Sequence, residues 1–183
     1  MEKLFEHILD DDEKIVKIMK PNKTKMFVTS VLGSAIYLSI FLIMGIVFCL
    51  VPDEGMKPTP ELIWVPVVIY LALILIIFLF TLVYYKNVYY AYTNKRVIIR
   101  SGIFGIDFHT LDMGMIGAVN VHVSLLDKIL MKNTGTLTFG STASPVVSAN
   151  GGASYKFTHI LMPYETCKEI KSYIDSYKKT IVK

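Results

Sequence analysis

The sequence predicts a membrane protein in which a two-helix transmembrane hairpin precedes a small antiparallel β-barrel or sandwich capped by a C-terminal amphipathic helix. Three observations predict this architecture: two long uncharged apolar runs, a change to period-two alternation after residue 88, and helical apolar spacing near the C-terminus. The composition agrees, since 53% of the 183 residues are hydrophobic and the mean hydropathy is +0.50. Ordinary soluble domains are about 45–50% apolar.

The two apolar runs span residues 26–51 and 62–85, and neither contains a charged residue. A bilayer core about 30 Å thick needs roughly 20 apolar residues in a helix, and backbone in hydrocarbon must satisfy its own hydrogen bonds. Both runs are therefore predicted to be transmembrane helices. A cleaved signal peptide is the alternative for the first run, but its apolar length exceeds about 15 residues and a mostly polar segment precedes it.

Positively charged residues lie at the two outer ends of the predicted hairpin and are scarce in the connector between its helices. Five lysines lie between residues 14 and 25, four cations follow between residues 86 and 100, and the connector 52–61 has one lysine. The positive-inside rule then places both termini in the cytoplasm and the connector outside the cell membrane. The predicted organisation is a cytoplasmic segment 1–25, helices 26–51 and 62–85 joined by an external loop 52–61, and a cytoplasmic domain 86–183.

Small residues recur along the first predicted helix, a pattern that allows close helix approach within lipid. One interpretation is a face for homo-oligomers, and the favoured one is packing against the chain's own second helix. The residues are Ser30, Gly33, Ser34, Ala35 and Ser39.

Residues 86–183 alternate as half-buried antiparallel strands do. Alternation predicts strands at 104–108, 119–123 and 137–139, and residue type predicts strands at 88–92, 97–99 and 155–161. Thr93-Asn94-Lys95 and Ser101-Gly102 are predicted turns, Leu125–Met131 a short helical crossing, and 141–154 a mobile loop rich in Ser, Ala and Gly. Helical spacing near the end predicts a final helix, through Cys167, Ile170, Ile174, Tyr177 and Ile181.

Several of these stretches together resemble a known family. The run Tyr92-Thr93-Asn94-Lys95-Arg96-Val97-Ile98, followed by Gly102, resembles the opening of bacterial pleckstrin-homology (PH) domains of the YdbS-like, membrane-anchored class. Further similarities are Val119-Asn120-Val121 before Ser124-Leu125-Leu126, Gly135-Thr136-Leu137, Ile160-Leu161-Met162-Pro163, and upstream Asp12-Glu13-Lys14-Ile15 with Lys20-Pro21-Asn22. The resemblance covers nearly the whole chain, and the loop 141–154 departs from it.

The resemblance also indicates candidate binding residues. PH domains that bind phosphoinositides use cations around their first hairpin, where this chain has Lys95, Arg96 and Arg100. The resemblance thus implies binding of lipid headgroups or of a partner at these three residues. The alternative is that they belong only to the general cytoplasmic excess of cations.

Motifs of catalytic chemistry are absent from the sequence. The four histidines, His7, His109, His122 and His159, have no metal-ligand spacing, and neither a G-x-S-x-G nor a phosphate-binding glycine loop occurs. Asp10-Asp11-Asp12-Glu13 lacks the alternating ligands of a calcium loop, and the favoured interpretation is a helix start with acids in its first turn. We expect no catalytic residue, metal or cofactor.

These observations favour a non-enzymatic PH-like binding or scaffolding module at the inner leaflet. Its expected partners are membrane lipids and another membrane or membrane-associated protein, with a homo-oligomer as a further possibility and nucleic acid excluded because no reading helix is available. The alternatives are an accessory subunit of a membrane enzyme or transporter and, as the resemblance implies, a protein of envelope stress or antimicrobial tolerance.

Overall fold

The structure, a computed structural model, describes residues 4–51, 59–130, 133–141 and 155–181. It has two compact units. One unit combines Met1–Lys25 with Tyr84–Lys183, and the other is Met26–Val83. Residues 142–154 of the predicted loop 141–154, and residues 52–58 of the predicted connector 52–61, lie outside the described residues.

The smaller unit is a pair of helices. Helix α1 spans Lys23–Leu50 and helix α2 spans Trp64–Asn87, and both are long and apolar enough to cross a membrane by length and composition. Ser30 Oγ lies 2.8 Å from Thr81 Oγ1, and the Tyr70 hydroxyl donates to the Ala35 carbonyl at 3.4 Å. Part of the small-residue stripe of α1 therefore faces the chain's own second helix.

The first sheet contains strands β1 (Ile15–Met19), β2 (Tyr89–Thr93), β3 (Arg96–Ser101) and β4 (Asp107–Asp112), antiparallel and in that order. Strands β1 and β2 are neighbours in the sheet, with Met19 opposite Tyr90. Since antiparallel neighbours need only a short turn, the helical pair is an insertion into the β1–β2 connection.

The second sheet contains β5 (Ile116–His122), β6 (Thr134–Ser141) and β7 (Lys156–Leu161), again antiparallel and in sequence order. The short helix α3, Leu125–Ile129, joins β5 to β6. Ser124 and Asp127 form a capping box at its start, in which each side chain accepts from the other residue's backbone N–H.

The C-terminal helix α4, Pro163–Ile181, packs against β5, β6 and a 3₁₀ turn at Met113–Met115. Its buried side chains Cys167, Ile170 and Ile174 join a core built from the inner faces of both sheets. Gly135 lies under the start of α4, where a Cβ atom would come within 2.8 Å of Pro163 Cγ. Glycine therefore permits the close approach of α4 to β6.

The N-terminal residues belong to the β unit, which corrects the prediction of a separate segment 1–25. Strand β1 completes the first sheet, and Phe5 packs with Ala91 and Ile98 on the face opposite the main core. The two central strands of the first sheet are thus buried on both faces, which is why β2 and β3 have nearly continuous apolar runs rather than alternating ones.

Two local predictions were also wrong. Strand β4 begins at Asp107, so most of the predicted strand 104–108 lies in a turn whose apolar side chains are exposed. No helix starts at Asp10–Glu13; the element that follows this stretch is strand β1. Glu13 instead turns inwards to meet an arginine from β3, a contact that periodicity in sequence does not encode.

Candidate functional site

The predicted cations Lys95 and Arg96 lie at the tight turn between β2 and β3. Thr93 Oγ1 accepts hydrogen bonds from the backbone N–H groups of both residues, at 3.1 and 2.9 Å. This contact is an ST-type turn, in which a threonine hydroxyl replaces a backbone acceptor. The turn holds the two cations side by side.

Arg96 is held by a buried carboxylate. Its Nε lies 3.0 Å from Glu13 Oε1 and its Nη2 lies 2.6 Å from Glu13 Oε2, while Nη2 also donates to the Ile8 carbonyl at 2.7 Å. The Glu13 side chain is 0% exposed. Burial raises the pKa of Glu13, but hydrogen bonds from Arg96 and Thr93 outweigh it, so the net pKa is lowered.

Lys95 is also paired within the chain. Its Nζ donates to Asp12 Oδ1 and lies 3.7 Å from Asp10 Oδ2. The hydrogen bond from Lys95 lowers the pKa of the Asp12 carboxyl. An anionic ligand at this turn would therefore have to compete with the N-terminal acids for Lys95 and Arg96.

Arg100 lies at the other end of the same strand. Four steps of β3 separate it from Arg96, or about 13 Å at 3.3 Å per residue, and its side chain is buried. Its Nη1 donates to the Asn87 carbonyl at 3.3 Å, and its guanidinium lies 5.5 Å from the Tyr89 ring centroid. The three predicted site residues thus do not converge on one place.

A groove of about 260 Å³ lies where the edge of each sheet meets the start of α4. Strand β1 is an edge strand of the first sheet and β7 an edge strand of the second. The groove is lined by apolar side chains together with two lysines and a glutamate. The lining residues are Lys17, Met19, Lys20, Ile160, Leu161, Met162, Glu165 and Thr166.

The two groove lysines are oriented by the residues around them. Lys17 Nζ lies 2.8 Å from Glu169 Oε2 of α4. Lys20 Nζ lies over the rings of Tyr85 and Tyr89, 4.4 and 4.5 Å from their centroids, and 3.2 Å from the Tyr89 hydroxyl. Such cation–π contacts hold an ammonium group in place by its attraction to the ring faces, without neutralising its charge. The groove therefore combines apolar side chains with two oriented lysines and the carboxylate of Glu165.

A second buried ion pair lies beside α3. Lys25 Nζ is 3.0 Å from Asp127 Oδ1 and 3.0 Å from Ser124 Oγ, and the Thr134 hydroxyl donates to the same carboxylate. Only 2% of the Lys25 side chain and 6% of the Asp127 side chain are exposed. Burial raises the pKa of Asp127, but hydrogen bonds from Ser124, Thr134 and Lys25 lower it to about 2.

Sequence reasoning missed the groove and this pair. Residues of β1 line the groove, and the patterns in the sequence did not predict this strand. Its residues Ile15-Val16-Lys17-Ile18-Met19 nevertheless have the residue types of a strand. The pair had a visible signal in Ser124-x-x-Asp127 before a short apolar run, the pattern of a helix N-terminus. Among the described residues, no group of three or more His, Cys, Asp or Glu side chains could hold a metal ion.

Comparisons with known proteins agree with this architecture. A family model described as "Bacterial PH domain" matches residues 33–178, which include most of the helical pair and all strands from β2 onward. No match was found among curated proteins or among solved structures. Because the family model covers most of the chain, and the sheets and helices described above lie largely within it, the chain belongs to the bacterial PH domain family.

Proposed function

We propose that this protein is a membrane-anchored, non-enzymatic binding module of the YdbS-like class, with its PH-like unit at the inner leaflet. The observation that carries the proposal is the insertion of two bilayer-length apolar helices into the β1–β2 connection. Three residues separate Met19 at the end of β1 from the start of α1, and a single residue separates Asn87 from β2. Such short links leave the β unit little reach away from the membrane surface.

The orientation in this proposal follows the cations. Lysines precede α1 and cations follow α2, whereas the connector between the helices has one lysine against three acids. Cytoplasmic loops of membrane proteins carry this excess of Lys and Arg. Both termini and the β unit are therefore assigned to the cytoplasm.

The first test is accessibility to an impermeant maleimide in intact cells. A cysteine replacing Glu54 in the connector is expected to react from outside, and a cysteine replacing the exposed His109 of β4 only after permeabilisation. The two native cysteines are buried, and a Cys49→Ala, Cys167→Ala background removes them. Reaction of the residue-109 cysteine in intact cells would contradict the proposed orientation.

The groove is the proposed binding site within the module. An extended segment placed beside β1 or β7 could complete the backbone hydrogen bonds of an edge strand, which is a common mode of peptide recognition. The floor at Met19 and Ile160 would take an apolar side chain, and Lys20 would favour an acidic neighbour. The proposed partner is such a segment of a membrane or membrane-associated protein.

In-cell photo-crosslinking tests the groove. A photoreactive amino acid at Leu161, whose side chain is exposed at the groove, is expected to give a discrete adduct that disappears in a Met19→Arg variant. The same probe at His109, on β4 at the opposite edge of the first sheet, serves as the matched control. Equal adducts at both positions, or an adduct that survives Met19→Arg, would count against the groove.

The predicted cations have unequal places in this proposal. Lys95 and Arg96 lie at the strand ends opposite those that lead to α1 and α2, and both are paired with acids. Arg100 lies at the near ends. Headgroup contact within the proposed function is therefore assigned to the region around Arg100 rather than to the β2–β3 turn.

A further inference from the structure

The turn between β3 and β4 presents apolar side chains where a turn is usually polar. Ile103, Phe104 and Ile106 are all exposed, and Phe104 is 92% exposed. Turns are normally built from Gly, Pro, Asn, Asp and Ser, and clustered exposed apolar residues usually indicate a contact surface. The folded unit buries part of Ile103 and Ile106, which are 38% and 51% exposed, and almost none of Phe104.

This turn is fixed to the end of α2. Asn87, the last residue of α2, donates from Nδ2 to the Gly102 carbonyl at 3.1 Å and accepts at its own carbonyl from Arg100 at 3.3 Å. Gly102 has φ +144°, and a Cβ there would lie 1.9 Å from the Gly105 carbonyl oxygen. The tight backbone and the hydrogen bonds together hold the turn beside residue 87.

Helix α3 carries a second exposed apolar pair. Leu125 is 75% exposed and Ile129 is 71% exposed, and residues four apart in a helix lie on the same face. Lys128 is exposed next to them. The opposite side of α3 holds Asp127, which is fixed by Lys25.

Helix α3 is joined to a residue of α1 just as the β3–β4 turn is joined to a residue of α2. Lys25 is the third residue of α1, and its ammonium group contacts both Ser124 and Asp127 at 3.0 Å. One apolar feature is thus held at the first turn of α1 and the other at the last turn of α2. Those are the two places where a spanning hairpin would meet the membrane surface.

We propose that the β3–β4 turn and the outer face of α3 form a bilayer-contact surface, with Ile103, Phe104, Ile106, Leu125 and Ile129 entering the boundary between headgroups and acyl chains. The proposal rests on the membrane anchoring proposed above. Exposed lysines accompany both features: Lys86 precedes Asn87, which is hydrogen-bonded to the turn, and Lys128 lies on α3. Lysines beside apolar side chains suit an anionic leaflet. The surface would hold the β unit in one orientation on the lipid.

Continuity with the helices is the reason to assign a bilayer rather than a protein partner. Hydrogen bonds join the turn to Asn87 and α3 to Lys25, residues at the ends of two bilayer-length helices, so insertion of those helices would bring both features close to lipid. A second copy of the chain is the rival occupant, and the experiment distinguishes it.

The experiment uses tryptophan fluorescence of the full chain in nanodiscs that hold one copy each and contain brominated phosphatidylcholine with phosphatidylglycerol. Native Trp64, the first residue of α2, is the probe of insertion itself. Phe104→Trp and Leu125→Trp are made separately in a Trp64→Phe background. Asp112→Trp is the matched control, because Asp112 is exposed and ends β4 about 17 Å from Asp107 at 3.3 Å per residue.

The expected result is loss of emission by brominated lipid for Trp64, for Phe104→Trp and for Leu125→Trp, with the Asp112→Trp emission unchanged. Quenching of Trp64 without quenching of the two surface probes would overturn this inference and leave the anchoring intact. Quenching of only one surface probe would overturn the two-part surface. An unquenched Trp64 would overturn both the anchoring and the inference. If the emission of Phe104→Trp shifted to the blue only in nanodiscs that hold two copies, the surface would be assigned to contact between copies of the chain.

Discussion

Replacing Asp127 by alanine is expected to lower the free energy of unfolding by about 3–5 kcal/mol, the range for breaking one side of a buried ion pair. The Lys25 ammonium would remain almost fully buried without its carboxylate. Ser124 and Thr134 would also lose an acceptor, and the capping box of α3 would be lost. Urea unfolding in mild detergent, followed by near-UV circular dichroism of the tyrosines, measures the change.

The controls for Asp127 separate the buried charge from the loss of packing. A Lys25→Met, Asp127→Leu double variant removes both charges and is expected to be more stable than Asp127→Ala alone. Lys17→Met breaks the exposed pair with Glu169 and is expected to change stability little. Equal losses for Asp127→Ala and Lys17→Met would contradict the assignment.

The pH dependence of this contact follows from the sign of the shift. The folded-state pKa of Asp127 is about 2, below its ordinary value of 3.8, so folding favours its charged form. The stabilisation is therefore complete above the unfolded pKa and is lost as the pH falls through the folded pKa. The wild-type protein is expected to lose this contribution between about pH 4 and pH 2. The difference in stability between wild type and Asp127→Ala is therefore expected to shrink across that range, while the contribution of Glu13 declines in both proteins.

Glu13→Gln is expected to have the second largest effect, a loss of about 3 kcal/mol in the free energy of unfolding, near the lower end for a broken buried pair. The amide keeps the shape of the carboxylate but removes the charge that Arg96 meets through two nitrogen atoms. The Arg96 side chain is 19% exposed, so water would partly solvate its charge once the carboxylate is lost. The same urea unfolding experiment measures the change.

Asp12→Asn is the matched control for Glu13→Gln. Asp12 contacts the neighbouring Lys95, but its side chain is 76% exposed, so its loss is expected to leave stability unchanged. The lowered pKa of Glu13 means that its contribution is complete above the unfolded value and declines as the pH falls through the folded one. A Glu13→Gln protein as stable as Asp12→Asn would contradict a structural role for this pair.

Local pattern was sufficient for much of the fold. Continuous apolar runs predicted α1 and α2, alternation at Val119–Val123 predicted most of β5, and helical spacing from Cys167 predicted α4. Each of these signals is a periodicity of burial within one element. The resemblance to the bacterial PH domain family, which rested on short stretches in a fixed order, is confirmed by the family match over residues 33–178.

The elements that pattern did not predict depend on distant partners. Strand β1 is five residues long and lies between lysines, and its partner β2 follows some seventy residues later. The apolar stretch at Phe104–Phe108 alternates as a strand does, yet most of it is an exposed turn. A sequence shows that a residue is apolar, whereas only the fold determines which surface that residue meets.

The sequence by itself determined that the chain has two bilayer-length helices and a basic β domain, because hydropathy and alternation are properties of neighbouring residues. The tertiary structure alone decided that the helices interrupt the first sheet, and that Lys95 and Arg96 are paired while Lys25 is buried. Those pairings join residues about 80 to 100 positions apart. Such contacts form only when the two sheets and the N-terminal segment are assembled, so no local pattern records them.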